Sequence, residues 1–209
     1  MIGFSDKSQR ARILHALANH ELQATELFAW AVLAFPETPV AFRRGLIQIL
    51  AEEQKHLNLY RERLATHDLE FGDLGVTGHF WNQLDAMSTP MAFLCAMGLT
   101  FENANLDFAG EYAEAAIAAE DPETARALAI VHEDEERHVR FAYRWMQRFK
   151  NDDESVLEAY ERTIQFPLCT ARARGKTFDR DSRVRAGLDD EFIDALEAAT
   201  ALRPSGVPR

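Results

Sequence analysis

Glu52-Glu53-Gln54-Lys55-His56 and Asp134-Glu135-Glu136-Arg137-His138 are the stretches whose reading decides the fold. Each places a Glu and a His at i and i+3. On a helix that spacing puts carboxylate and imidazole on one face, a turn apart, where both can reach the same ion. One such pair is weak evidence, because a chain of this composition supplies on the order of one by chance. Two are only modestly better, so the surroundings must carry the case.

Working outward, each pair has a partner carboxylate. Glu21 precedes Glu53 by 32 residues and Glu102 precedes Glu135 by 33, so each couple straddles its own interhelical turn at similar height. All four segments carry these residues on their apolar stripes: Leu17, Glu21, Ala24 and Phe28; Ile49, Glu53, His56 and Tyr60; Leu94, Gly98, Glu102 and Ala109; Val131, Glu135, His138 and Ala142. Four carboxylates in a core are costly unless protonated or neutralised. Two divalent cations balance them, with the imidazoles as neutral ligands. Such an oxygen-rich set with one His per ion suits iron or manganese better than structural zinc.

The hydrophobic periodicity supplies the helices to hold these residues. A long amphipathic helix is expected from about Ser8 to Phe35, ended by Pro36 and Pro39. Thr38 is the expected N-cap of a second helix reaching about Thr66. From His67 to Met87 the periodicity lapses, with glycines at 72, 75 and 78, as in a connection that crosses the length of a bundle. Ser88-Thr89-Pro90 opens a third helix to about Ala119, and Asp121-Pro122 a fourth to about Lys150. The expected fold is all-α: two antiparallel helical hairpins joined by a long crossover over residues 1–150. Residues 151–209 form a C-terminal helical extension and tail packed on that bundle. In it a short helix is expected over Asp152–Gln165, another over Asp189–Ala201, and a disordered Pro/Gly tail.

Composition narrows the function. A formal charge of -11 disfavours broad attraction to nucleic acid, although Arg172, Arg174, Lys176, Arg180, Arg183 and Arg185 form one basic run, read as a solvated polar segment. Only Cys95 and Cys169 occur, outside any CxxC pattern, which argues against a disulfide framework or a thiolate metal site. The opening residues lack a basic stretch followed by an apolar run, and no stretch has the length of a membrane span. A cytoplasmic protein with no membrane association is expected.

The order Glu, ExxH, Glu, ExxH resembles the ferritin-like di-iron carboxylate superfamily over about residues 8–150, and EExxH with DExRH is similar to its di-iron hydroxylases. His20-Glu21-Leu22-Gln23-Ala24-Thr25-Glu26, with Phe71-Gly72-Asp73 in the connection, further resembles an uncharacterised bacterial ferritin-like family of unknown function. The resemblance implies a ferritin-like four-helix bundle with two metal ions, iron or a mixed iron/manganese pair, held by Glu21, Glu53, His56, Glu102, Glu135 and His138. There are departures. Asn105 stands where rubrerythrins carry an extra carboxylate, their four-cysteine iron domain is absent, and typical ferritins lack a second ExxH. A tRNA-hydroxylating branch stays open through the Arg-rich run, against the net charge.

Some neighbours compete for roles. A metal-bound His commonly donates its other ring N–H to a carboxylate. Asp134 is placed to serve His56 in this way, and Glu52 to serve His138 or Arg137. Glu26 is an alternative to Glu21 but is rotated about 140° from it. His132, one turn before Glu135, offers a third imidazole or a polar rim contact. His20 is turned away from Glu21, and Tyr60, four residues after His56, reads as core packing or as a group reaching the site.

The function expected first is an oxygen-activating di-iron oxidase or hydroxylase with no catalytic residues separate from the metal ligands. Its partners would be molecular oxygen, a small-molecule substrate and an electron donor, and a homodimer is compatible with the chain. The alternatives are iron or peroxide handling without an organic substrate, as in a ferroxidase or a rubrerythrin, and a metal-free helical scaffold.

Overall fold

Asp6 accepts the backbone N–H of Gln9 and opens the first helix, α1, Lys7–Ala34. The computed structural model describes residues 3–200, and among these it is all-helical with no strand. After α1 come α2 (Val40–Ala65), α3 (Pro90–Ala96), α4 (Asn103–Ala118), α5 (Pro122–Phe149), α6 (Val156–Thr163), α7 (Arg180–Ala186) and α8 (Asp190–Ala198). Two 3-10 segments, Trp81–Met87 and Thr170–Arg172, and one π-helical stretch, Met97–Glu102, complete the order. None of the described helices is long and apolar enough to cross a membrane.

The described residues divide into two compact units, 3–90 with 109–134 and 91–108 with 135–200. In the first, α1 and α2 run antiparallel. Phe4, Leu14, Leu17, Ala18, Tyr60, Leu64 and Val131 form its buried core, and removing their apolar area from water is the main stabilising term. One end is tied by charge. Asp121 accepts Arg10 Nη1 at 2.9 Å and Arg63 Nη2 at 3.1 Å, and also caps α5 through the Thr124 N–H. The connection after α2 is fastened to α1 by a polar row one turn apart. His15 Nε2 accepts the Gly72 N–H, Asn19 donates to the Thr77 carbonyl, and Gln23 accepts the Phe80 N–H. Gly72 has φ +109°, a conformation only glycine adopts without strain.

In the second unit, α6 starts at a capping box made by Ser155 and Glu158. Tyr143 and Tyr160 both meet the Phe192 ring edge-on, which seats α8. Arg183 lies fully buried against Asp107, with Nη1 2.7 Å from Oδ1 and Nη2 2.9 Å from Oδ2.

Several sequence expectations change in detail. The single third helix is interrupted by the π-helical stretch, which periodicity alone does not reveal because the apolar pattern continues through it. Thr38 does not cap α2: its hydroxyl donates back to the Phe35 carbonyl, and Pro39 takes the N-cap position. The short helix of the extension begins later than Asp152, at Val156, and the last ends at Ala198. The Arg-rich run is not a uniformly solvated segment. Arg183 is buried, and Arg185 and Arg180 pair with Glu136 and Glu197. The expected Pro/Gly tail lies outside the described residues.

Candidate metal centres

In the first unit, α1 supplies Glu21 and α2 supplies Glu53 and His56. The i, i+3 spacing and the antiparallel pairing bring them together, each offering a ligand atom within 4.8 Å of the others. His56 Nδ1 lies 3.6 Å from Glu21 Oε2 and 3.7 Å from Glu53 Oε2. On the far side of the ring, Nε2 is 2.9 Å from Asp134 Oδ2, which also accepts Lys55 Nζ at 2.5 Å.

The second unit repeats the arrangement. Glu102 ends the π-helical stretch, and Glu135 and His138 come from α5. Their ligand atoms again lie within 4.8 Å of one another. His138 Nδ1 is 3.8 Å from Glu102 Oε1 and 3.4 Å from Glu135 Oε2. Asn105 donates its side-chain amide to Glu135 Oε1 at 2.8 Å. Gly98 makes room here: a Cβ at that position would stand 2.2 Å from the Ala142 Cβ and 3.5 Å from Glu102 Oε2.

None of the six residues is more than 6% exposed. Burial is the largest effect on Glu21 and pushes its carboxyl well above the usual range, with the neighbouring Glu53 charge adding to it. For His56, burial favours the neutral ring. The hydrogen bond with Asp134 and the pull of Glu21 and Glu53 outweigh it and raise the imidazole to about 12. Both groups are thus shifted toward their protonated forms, Glu21 chiefly by burial and His56 by the carboxylates around it.

A divalent ion would balance the buried carboxylates, and the donor set can be tested against one. Two donors each about 2.1 Å from a shared ion stand about 3.0 Å apart at a right angle and about 3.8 Å apart at about 130°, so this span is what one ion can bridge. The observed Nδ1-to-carboxylate separations match. Buried Glu/His clusters able to hold a metal ion are therefore present in both units.

Glu26, His20 and Tyr60 have other partners. Glu26 accepts Trp81 Nε1 at 2.8 Å and so faces the connection rather than the trio. His20 stacks on Phe80, and burial pushes its imidazole down to about 4. Tyr60 is part of the first unit's apolar core. His132 and Glu52 are half-buried, and Arg137 is exposed. Asn105 is the residue that the sequence reading undervalued. An amide there departs from the carboxylate of rubrerythrins, yet its position three residues after Glu102 is the signal that it faces the same way.

A sequence model of the family described as protein of unknown function (DUF455) matches residues 3–194. No curated protein and no solved structure matches the chain.

Proposed function

The chain belongs to that DUF455 family, and we propose that it is a ferritin-like di-metal carboxylate protein that holds one ion in each trio and uses iron to activate oxygen. Glu21, Glu53 and His56 would hold one ion, and Glu102, Glu135 and His138 the other. The observation that carries the reading is the orientation of the two imidazoles. Each presents Nδ1 to two buried carboxylates, which an ordinary core histidine has no reason to do twice.

Ferrous ions at these positions would supply the electrons that reduce molecular oxygen. The chain's own residues prepare the setting. Asp134 accepts the His56 Nε2–H, which would leave the Nδ1 lone pair for an ion once one displaces the Nδ1 proton. Lys55 stands against the same Asp134 oxygen and places a positive charge beside that carboxylate. Asn105 engages one oxygen of Glu135 and leaves the other turned to His138. Burial excludes bulk water, so the carboxylate charges act at full strength on whatever cation enters. The soluble oxidase or hydroxylase reading adds a small-molecule substrate and an electron donor.

Anaerobic loading with ferrous iron, followed by oxygen and absorption spectroscopy, tests the proposal. Two irons per chain and a transient visible band on oxygen exposure are expected. Protein from iron-replete cells without transition metal, or His56→Ala with unchanged metal content, would sink it. A large hollow assembly that mineralises added iron would move the function to iron handling.

A further inference from the structure

The ligand Glu102 sits at the end of the π-helical stretch Met97–Glu102. A π turn holds an extra residue, and its hydrogen bonds are less favourable than those of an α-helix, so such a stretch persists only where something outside it compensates. The register matters for the ligand. Relaxing the stretch to α-helix would turn the residues on one side of it by about 100° relative to the other. Glu102 would then leave the direction of Glu135 and His138.

Two groups from the C-terminal region grip this stretch on either side of Glu102. Before it, the Thr100 hydroxyl donates to the Cys95 carbonyl at 2.7 Å and lies 2.8 Å from Tyr160 Oη. Since the single Thr100 proton is already given to Cys95, Tyr160 is the donor to Thr100. Both residues are fully buried. After it, Arg183 Nη2 donates to the Asn103 carbonyl at 3.0 Å while the guanidinium clasps Asp107 in a bidentate pair. Asp107 also accepts the backbone N–H groups of Gly175 and Asp179, so the clasp closes the segment from 175 to 183 onto α4.

We propose that Tyr160 and Arg183 are positioning residues for the metal ligand Glu102, holding the π-helical register from both sides so that its carboxylate faces Glu135 and His138. The inference rests on the reading of Glu102 as a ligand. It gives the C-terminal extension a role at the metal centre: Tyr160 on α6 and Arg183 on α7 act on a residue far from them in sequence.

The test is titration of the metal-free full chain with cobalt(II), whose visible bands report the number and geometry of bound ions. Wild type should take two ions per chain. Tyr160→Phe removes the Tyr160–Thr100 hydrogen bond, and Thr100→Val removes it together with the Thr100–Cys95 bond, so each should weaken one ion about tenfold or more, the other remaining unchanged. Their combination should be no worse than Thr100→Val alone, and Thr100→Ser, which keeps the hydroxyl, should bind as wild type does. Arg183→Lys, which loses the planar fork, should weaken the same ion. Adding Glu21→Gln to Tyr160→Phe identifies that ion, because the pair should then bind neither tightly. Near-ultraviolet circular dichroism of the metal-free variants checks the fold independently. Tyr160→Phe and Thr100→Val with both cobalt ions bound as in wild type would overturn the inference alone. Equal weakening of both ions would overturn it in favour of general loosening. A wild-type chain that takes up no cobalt would overturn the metal reading beneath it.

Discussion

His56 is held between opposite demands: its Nε2 lies 2.9 Å from Asp134 Oδ2, and its Nδ1 turns to the carboxylates of Glu21 and Glu53. The ring thus has one nitrogen engaged by Asp134 and the other turned to two buried carboxylates. On the proposed reading, Asp134 would act through the ring, since its contact is with Nε2. Asp134→Asn should weaken metal binding at the first trio by about 10- to 100-fold, measured by competition with a coloured chelator. Unchanged affinity would show that the ring needs no fixed tautomer.

Metal should stabilise the folded chain, since an unfolded chain does not assemble either trio. At a free metal concentration of about 100 times Kd, each ion adds about 2.7 kcal/mol. For a chain of this size that is a rise of roughly 5 to 10 °C in Tm per ion. Differential scanning calorimetry with and without manganese(II) should show it, and Glu21→Gln should lose about half of the rise.

Gly98 lets α5 approach the π-helical stretch, because any Cβ there would stand 2.2 Å from the Ala142 Cβ. Gly98→Ala should cost about 1 to 3 kcal/mol through overpacking and disturb the second trio before the first. Urea unfolding and metal content per chain report the two effects. Restoration by Ala142→Gly in the same chain would confirm the steric cause.

Asp121 ties α1, α2 and α5 and gives the first unit an acid sensitivity. Burial opposes its ionisation, but the Thr124 hydroxyl and N–H, Arg10 and Arg63 together hold it below the usual 3.8. A carboxyl depressed in the folded state binds more protons when unfolded. Its stabilisation is therefore complete above about pH 4 and is lost as pH falls through the folded value below 3.8. Asp121→Ala should cost about 3 to 5 kcal/mol near neutrality by leaving Arg10 buried without its partner. It should also flatten the stability profile below pH 4. Urea melts across that range check both.

The helices carrying the ligands were legible because their signals are local: apolar residues at helical spacing, proline and aspartate at the starts, and carboxylates intruding on apolar stripes. The i, i+3 pairs are equally local, so Glu53 with His56 and Glu135 with His138 needed only a helix to share a face. The Asp134 contact with His56 was also within reach, since it follows from the neighbouring position of Glu135.

What the chain order could not supply was everything that depends on a partner brought from a distance. A π-helical turn leaves the apolar pattern of residues 90–118 intact, and only the packing that holds it betrays it. Thr38 has the composition of a cap, yet its hydroxyl found the Phe35 carbonyl because the chain turns back there. Arg183 is indistinguishable in sequence from its solvated neighbours, and its burial follows from Asp107, 76 residues away. Sequence alone determined which side chains can share a helix face, since helical geometry is set by spacing. Only the tertiary structure decided which of them are desolvated and what meets them there, because burial and distant pairing are properties of the packed chain and not of its order.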